Sequence, residues 1–128
     1  MNKNNSLEVI EDCTTYIKNH LQDTLTAEAL ASRYGYSLYH FCHIFKICCD
    51  MSPGKYIRLL RLEKAKKDIL SGISITQAGF DNGFETSSGF SKAFRKEYGI
   101  SAREYLKQNK ESEVFIMLHV EIKTLQSQ

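Results

Sequence analysis

The feature that most constrains this chain is that its middle is written twice. Gly35-Tyr36 matches Gly83-Phe84 at an offset of 48 residues. With one inserted residue, Phe41 then matches Phe90, Phe45-Lys46 matches Phe94-Arg95, Ser52 matches Ser101 and Tyr56 matches Tyr105. Self-similarity at a fixed period means that one supersecondary unit has been built twice. Two copies make a pseudo-symmetric pair and not a solenoid.

The local signals inside each copy are helical. After Ser6, an expected N-cap, Leu7, Ile10, Cys13, Ile17 and Leu21 recur at spacings of three and four, which predicts an amphipathic helix. Thr26 caps a short helix over 27–34, ended by Gly35, and Ser37 caps a third whose apolar positions are Leu38, Phe41, Ile44 and Phe45. Pro53 after Ser52 opens a long helix to Leu70, because proline suits a first turn whose N–H groups have no intrahelical partner. The second pass repeats this order. Ser74 and Gln77 form a capping box before a helix over 75–82 stopped by Gly83. Thr86 caps a helix with Phe90, Ala93, Phe94 and Tyr98 inward, and Ser101 with Glu104 opens a last helix to about Gln108. Each copy is therefore a short helix, a glycine-ended turn, a second helix and a capped third, which is a helix-turn-helix plan. Ala31 and Gly79, each four residues before its turn glycine, are small enough for the paired helices to cross closely.

Charge follows the same segmentation. Of the 128 residues, 30–110 hold fourteen Lys and Arg against seven Asp and Glu, a surplus of +7, while the flanks are acidic and bring the net to +2. A basic middle favours an anionic partner, although a solvated helical surface has the same composition. There is no run of about 18 apolar residues, so a membrane-spanning helix is excluded. The first residues lack the apolar stretch of a secretory signal, which predicts a cytoplasmic chain with its four cysteines as thiols.

In a helix-turn-helix unit the second helix enters the major groove and presents its outer face to base edges. With Leu38, Phe41 and Phe45 inward, Tyr39, His40, Cys42, His43 and Lys46 remain for that face in the first copy. In the second copy Phe90 and Phe94 leave Ser87, Ser88, Ser91, Lys92 and Arg95. Ser, His and Lys can bond base edges or phosphates, and Tyr39 or Cys42 offers apolar contact to a thymine methyl. Backbone N–H groups beside Ser37 and Thr86 can hold phosphates, since free helix N-termini attract anions. The long helix over 53–70 spans about 27 Å at 1.5 Å per residue, enough to hold two recognition helices near one DNA turn apart. Its Arg58, Arg61, Lys64, Lys66 and Lys67 are expected mainly to be solvated and to pair with Glu63 and Asp68.

The stretches LASRYGYSLYHFCHIFK, MSPGKYIRLLRLEKAKKDIL and GFETSSGFSKAFRKEYGISAREYL, in that order and spacing, resemble the AraC/XylS DNA-binding domain over residues 7–108. The resemblance implies an all-α, seven-helix domain with two homeodomain-like helix-turn-helix subdomains, about 7–52 and 73–108, joined by a linker helix over 53–70. It implies a sequence-specific regulator of transcription that places its recognition helices in successive major grooves of double-stranded DNA. Base contacts would fall on Tyr39, Cys42, His43, Ser87, Ser88, Ser91 and Lys92. Phosphate contacts are expected at Ser37, His40, Lys46, Thr86, Arg95 and Lys96. The chain departs from the family where Cys42 and His43 replace longer polar residues, where Ala78-Gly79 replaces an Ile-Ala pair, and where Ala102 replaces a proline. The last two departures imply a slightly looser second unit.

The end of the chain reads differently. Val114 to Lys123, VFIMLHVEIK, is rich in β-branched and aromatic residues, carries no helix cap and reads as a strand-like tail over 109–128. Either it packs on the helices, or it opens a truncated second domain. It resembles the first strand of the gyrase-inhibitor-like effector-binding domain, which would bring a small-molecule effector through the missing part. RNA polymerase is a further expected partner, and no membrane partner is expected.

Cys42, Cys48 and Cys49 beside His40 and His43 could suggest a metal site, but adjacent helical residues diverge by about 100° and no second ligand pair follows. Cys13 and Cys48 or Cys49 are expected to be small buried apolar groups. No catalytic constellation stands out, so neither an enzyme nor a cofactor is expected. The competing readings are a helical protein-interaction module with nonspecific DNA binding and an alkyl-acceptor DNA-repair protein, which would need a reactive cysteine cluster.

Overall fold

The computed structural model describes the backbone of residues 3–126 and, within that span, the side-chain environments of 5–110, 117, 118, 120, 121 and 123–126. Its regular structure is helical throughout: α1 (Lys3–Asn19), α2 (Ala27–Arg33), α3 (Leu38–Cys49), α4 (Pro53–Leu70), α5 (Ile75–Asp81), α6 (Ser87–Tyr98) and α7 (Ala102–Gln126). From α2 onward the caps are those that the sequence predicts. Thr26, Ser37, Ser52, Ser74, Thr86 and Ser101 each accept the backbone N–H three residues on, at 2.9–3.2 Å. Both capping boxes are only half formed. The Gln77 amide donates to Asp81, and the Glu104 carboxylate accepts from Gln108.

The two copies repeat in three dimensions. Gly35 and Gly83 take positive φ, and the N–H groups of Tyr36 and Phe84 return to Ala31 and Gly79 at 2.9 and 3.0 Å. The second helices end alike, with Asp50 at φ 59° and Gly99 at φ 78°. The cores are built from equivalent rings. Phe41 and Phe45 lie 5.8 Å apart and Phe45 meets Tyr56 at 5.4 Å, while Phe90 and Phe94 lie 5.9 Å apart and Phe94 meets Tyr105 at 5.8 Å.

There are two apolar clusters. The first gathers Ile10, Cys13 and Ile17 of α1 with Leu30, Phe41, Phe45 and Ile57, and the second gathers Leu62, Ala65 and Ile69 with Ala78, Phe90, Phe94 and Ala102. A fully buried Phe contributes about 2–3 kcal/mol, so the four Phe residues are the principal anchors. Helix α4 gives its first half to one cluster and its second half to the other. Asn82, fully buried, donates from its amide to Asp68 on α4 and to the Ala78 carbonyl, tying the second turn to that helix.

Four expectations change. The segment Val114–Lys123 is helix and not strand, because α7 runs unbroken to Gln126. A strand with no sheet beside it leaves each backbone N–H and C=O without a protein partner, whereas a helix pairs them locally, and no Gly or Pro interrupts Ala102–Gln126. Ser6 lies inside α1, which begins at Lys3 and is not capped by it. Leu7 and Leu38 stand 49% and 42% exposed rather than in the core, since Ile10 and Phe41 already fill the inner face. Cys13 is fully buried as expected, but of the adjacent pair Cys48 is exposed and Cys49 only half-buried against the first cluster, because consecutive helical residues cannot share the inward face.

Candidate nucleic-acid interface

Helices α3 and α6 are the second helices of the two turns, and each buries its phenylalanines while turning polar residues outward. On α3, Tyr39 is 83% exposed, and its ring stacks over that of His43 at 6.2 Å. His40 is exposed and meets Tyr36 edge-on at 5.0 Å, and Lys46 is exposed nearly two turns further along. Cys42 is half-buried against the first cluster, so less of it is available to a base than of its neighbours. On α6, Ser87, Ser88, Ser91, Lys92, Arg95 and Lys96 are all exposed. The Ser37 and Thr86 side chains accept one N–H each at the two helix starts and keep a hydroxyl to donate.

The structure gathers cations that the sequence leaves scattered. Lys92 and Lys96 of α6 face Lys55 and Arg58 of α4 across a groove of about 390 Å³ that Leu59 and Leu62 also line, with Glu97 the one carboxylate at its edge. Lys55 was missed by the sequence reading. The signal was present, because residues three apart share a helical face and Lys55 and Arg58 have that spacing. Three other linker cations are engaged internally. Lys64 pairs with Asp68 at 3.4 Å, and Lys66 pairs with Glu63 at 3.1 Å and lies over the Tyr98 ring at 4.5 Å. Tyr98 also donates its hydroxyl to Glu63 at 2.7 Å. That hydroxyl and Lys66 together hold the Glu63 carboxyl below its ordinary range. Arg61 donates from Nε to the Leu21 carbonyl at 3.0 Å and from a terminal nitrogen to the Asp23 carbonyl at 2.8 Å.

The second turn crosses tightly. A Cβ at Gly79 would sit 2.8 Å from the Phe90 ring, so the glycine that departs from the family pattern admits a closer approach instead of loosening the unit. Among the described residues no three His, Cys, Asp or Glu side chains converge as a metal would require. Burial and the nearby Cys49 push the Cys13 thiol up to about 11, which leaves it a poor nucleophile. Among the described residues no helix is long and apolar enough to cross a membrane.

These features have relatives. A family described as a helix-turn-helix domain matches residues 30–108. The HTH-type transcriptional activator RhaS of Escherichia fergusonii is 34% identical over 90 residues, covering 70% of this chain and 32% of that protein. The chain thus spans about a third of the length of the curated relatives it matches first. Among solved structures, a transcriptional regulator of Chromobacterium violaceum with an AraC-type DNA-binding domain superposes with a TM-score of 0.74 at 25% identity, covering 83% of this chain and 96% of that one. The DNA-binding domain of AdpA, solved in complex with a target DNA, has the same fold at a TM-score of 0.76 and 19% identity, covering 80% and 94%.

Proposed function

The chain belongs to the AraC-type helix-turn-helix family, and on that premise we propose that it binds double-stranded DNA sequence-specifically and regulates transcription. The observation that carries the reading is the repetition of the outward face. Two helices with hydroxyl N-caps, left-handed C-caps, an equivalent buried phenylalanine pair and polar outer residues stand on either half of one connecting helix. In this reading α3 and α6 enter successive major grooves, with Tyr39, Cys42, His43, Ser87, Ser88, Ser91 and Lys92 toward base edges. Ser37, His40, Lys46, Thr86, Arg95 and Lys96 hold phosphates, and Lys55 and Arg58 extend that set across the groove. The protein acts in the bacterial cytoplasm, on the nucleoid when bound. RNA polymerase is its partner there, and a small-molecule effector acts through a part of a longer protein that this chain does not include.

The test is selection of randomised duplex DNA by the purified chain, followed by binding of the winning site and a scrambled duplex at two salt concentrations. Two short motifs about one helical turn apart, bound more tightly than the scramble and more weakly as salt rises, are the expected result. Equal affinity for both duplexes, with no motif enriched, sinks the reading in favour of a protein-interaction module.

A further inference from the structure

The two apolar clusters meet α4 on either side of residues 57–62, and Arg61 stands at that boundary. Its guanidinium reaches sideways, not into solvent. From the first subdomain it takes two carbonyls just past the end of α1, Leu21 at 3.0 Å and Asp23 at 2.8 Å. Both carbonyls lie in the turn beyond that helix, where no intrahelical N–H reaches them, so a charged donor suits them. On the side of the second subdomain it lies against the backbone of the turn at Gly83, in packing contact and not in a hydrogen bond. A Cβ at Gly83 would lie 2.7 Å from Arg61 Nε and 2.8 Å from Cζ, so only a glycine lets that turn rest on the guanidinium. Gly83 also has φ +90°, which joins the conformational and the steric demand at one residue. The surrounding contact is loose, because a cleft of about 230 Å³ opens between Leu25 and Ile57 on one side and Gly83 and Phe84 on the other.

We propose that Arg61 is a positioning residue, the strut that fixes the separation and mutual rotation of the two subdomains and thereby the half-site spacing that α3 and α6 read together. The part of this inference that concerns DNA rests on the function proposed above. The strut itself is a property of the free protein. A planar fork with several donors spans two carbonyls at once, which a lysine ammonium on a flexible stem cannot do with the same orientation. Without it, α4 still connects the subdomains, but the cleft leaves them room to rotate about its middle.

Two readouts test this on the full chain with Arg61→Leu and Arg61→Lys, with Gly83→Ala as a push on the same contact from the other side. In the free protein, residual dipolar couplings of wild type are expected to fit one alignment tensor for both subdomains. Those of Arg61→Leu should need two, with each subdomain's own amide signals retained, and Arg61→Lys should lie between. On DNA, duplexes carrying the selected half-sites at altered spacings are expected to bind wild type only at its preferred spacing. Arg61→Leu should lose about tenfold at that spacing and bind neighbouring spacings within about twofold of it. One common tensor in both Arg61 variants overturns the strut whether or not DNA binds. An unchanged spacing profile with intact binding overturns its role in recognition. If wild type selects no site while the tensors separate as expected, the proposed function fails and the strut stands.

Discussion

At the scale of single residues, glycines mark where the fold is least forgiving. Gly79 is the sharpest case, because alanine there gains up to about 1 kcal/mol of helix propensity and meets a phenylalanine ring already packed against it. Overpacking of a filled site costs about 1–3 kcal/mol, so Gly79→Ala is expected to destabilise the protein by about 1–2 kcal/mol in urea unfolding. A stabilised variant would mean that the Phe90 ring gives way. The sequence made this position visible through its place four residues before a turn glycine, but not the ring it faces, which lies eleven residues on. Arg61 was less legible still. In the sequence it is one of six linker cations with nothing local to single it out, and only the fold brings Leu21, Asp23 and Gly83 around it.

At the scale of elements, α7 is where local sequence and structure part. Val120→Pro removes a helical hydrogen bond and drives the ring against the preceding turn, a local cost of about 3 kcal/mol. The described members of the second cluster extend no further along α7 than Leu106, so the variant is expected to lose helical chemical shifts around 114–123 while the main thermal transition stays in place. Helical shifts unchanged by proline would argue against a helix there. The contact between α4 and α6 offers a pH test. The Glu63 carboxyl is held below its ordinary range chiefly by the Tyr98 hydroxyl and then by Lys66. A lowered folded-state pKa contributes stability that is present above the unfolded carboxyl range and lost as pH falls through the lowered value. Tyr98→Phe should therefore lower Tm at neutral pH, with the difference closing in acid. A gap that persists at low pH would assign the loss to packing around Phe94 and Tyr105 instead.

At the scale of the molecule, the +7 middle acts through its arrangement, because cations engaged internally are less available to a phosphate. Lys64, Lys66 and Arg61 are engaged within the protein, while Lys55, Arg58, Lys92 and Lys96 surround one open groove. Each phosphate neutralised adds about −0.9 to the slope of log affinity against log salt. Lys92→Ala is expected to weaken binding and, if that lysine sits on a phosphate, to reduce the slope by about one. If it reads a base, the loss is about 1–3 kcal/mol with relaxed preference at one position and little change in slope. Unchanged affinity removes Lys92 from the interface. By itself the sequence determined the two turns, their caps, the inward phenylalanines and the outward faces of α3 and α6, because cap chemistry and 3.6-residue periodicity act within a few neighbours. Only the tertiary structure decided that the last segment is helix, that one linker arginine is a strut and that four cations share a groove. The arginine and the groove depend on which backbone groups and charges meet across distant parts of the chain, and the helix on the last segment having no strand beside it among the described residues; local pattern records neither.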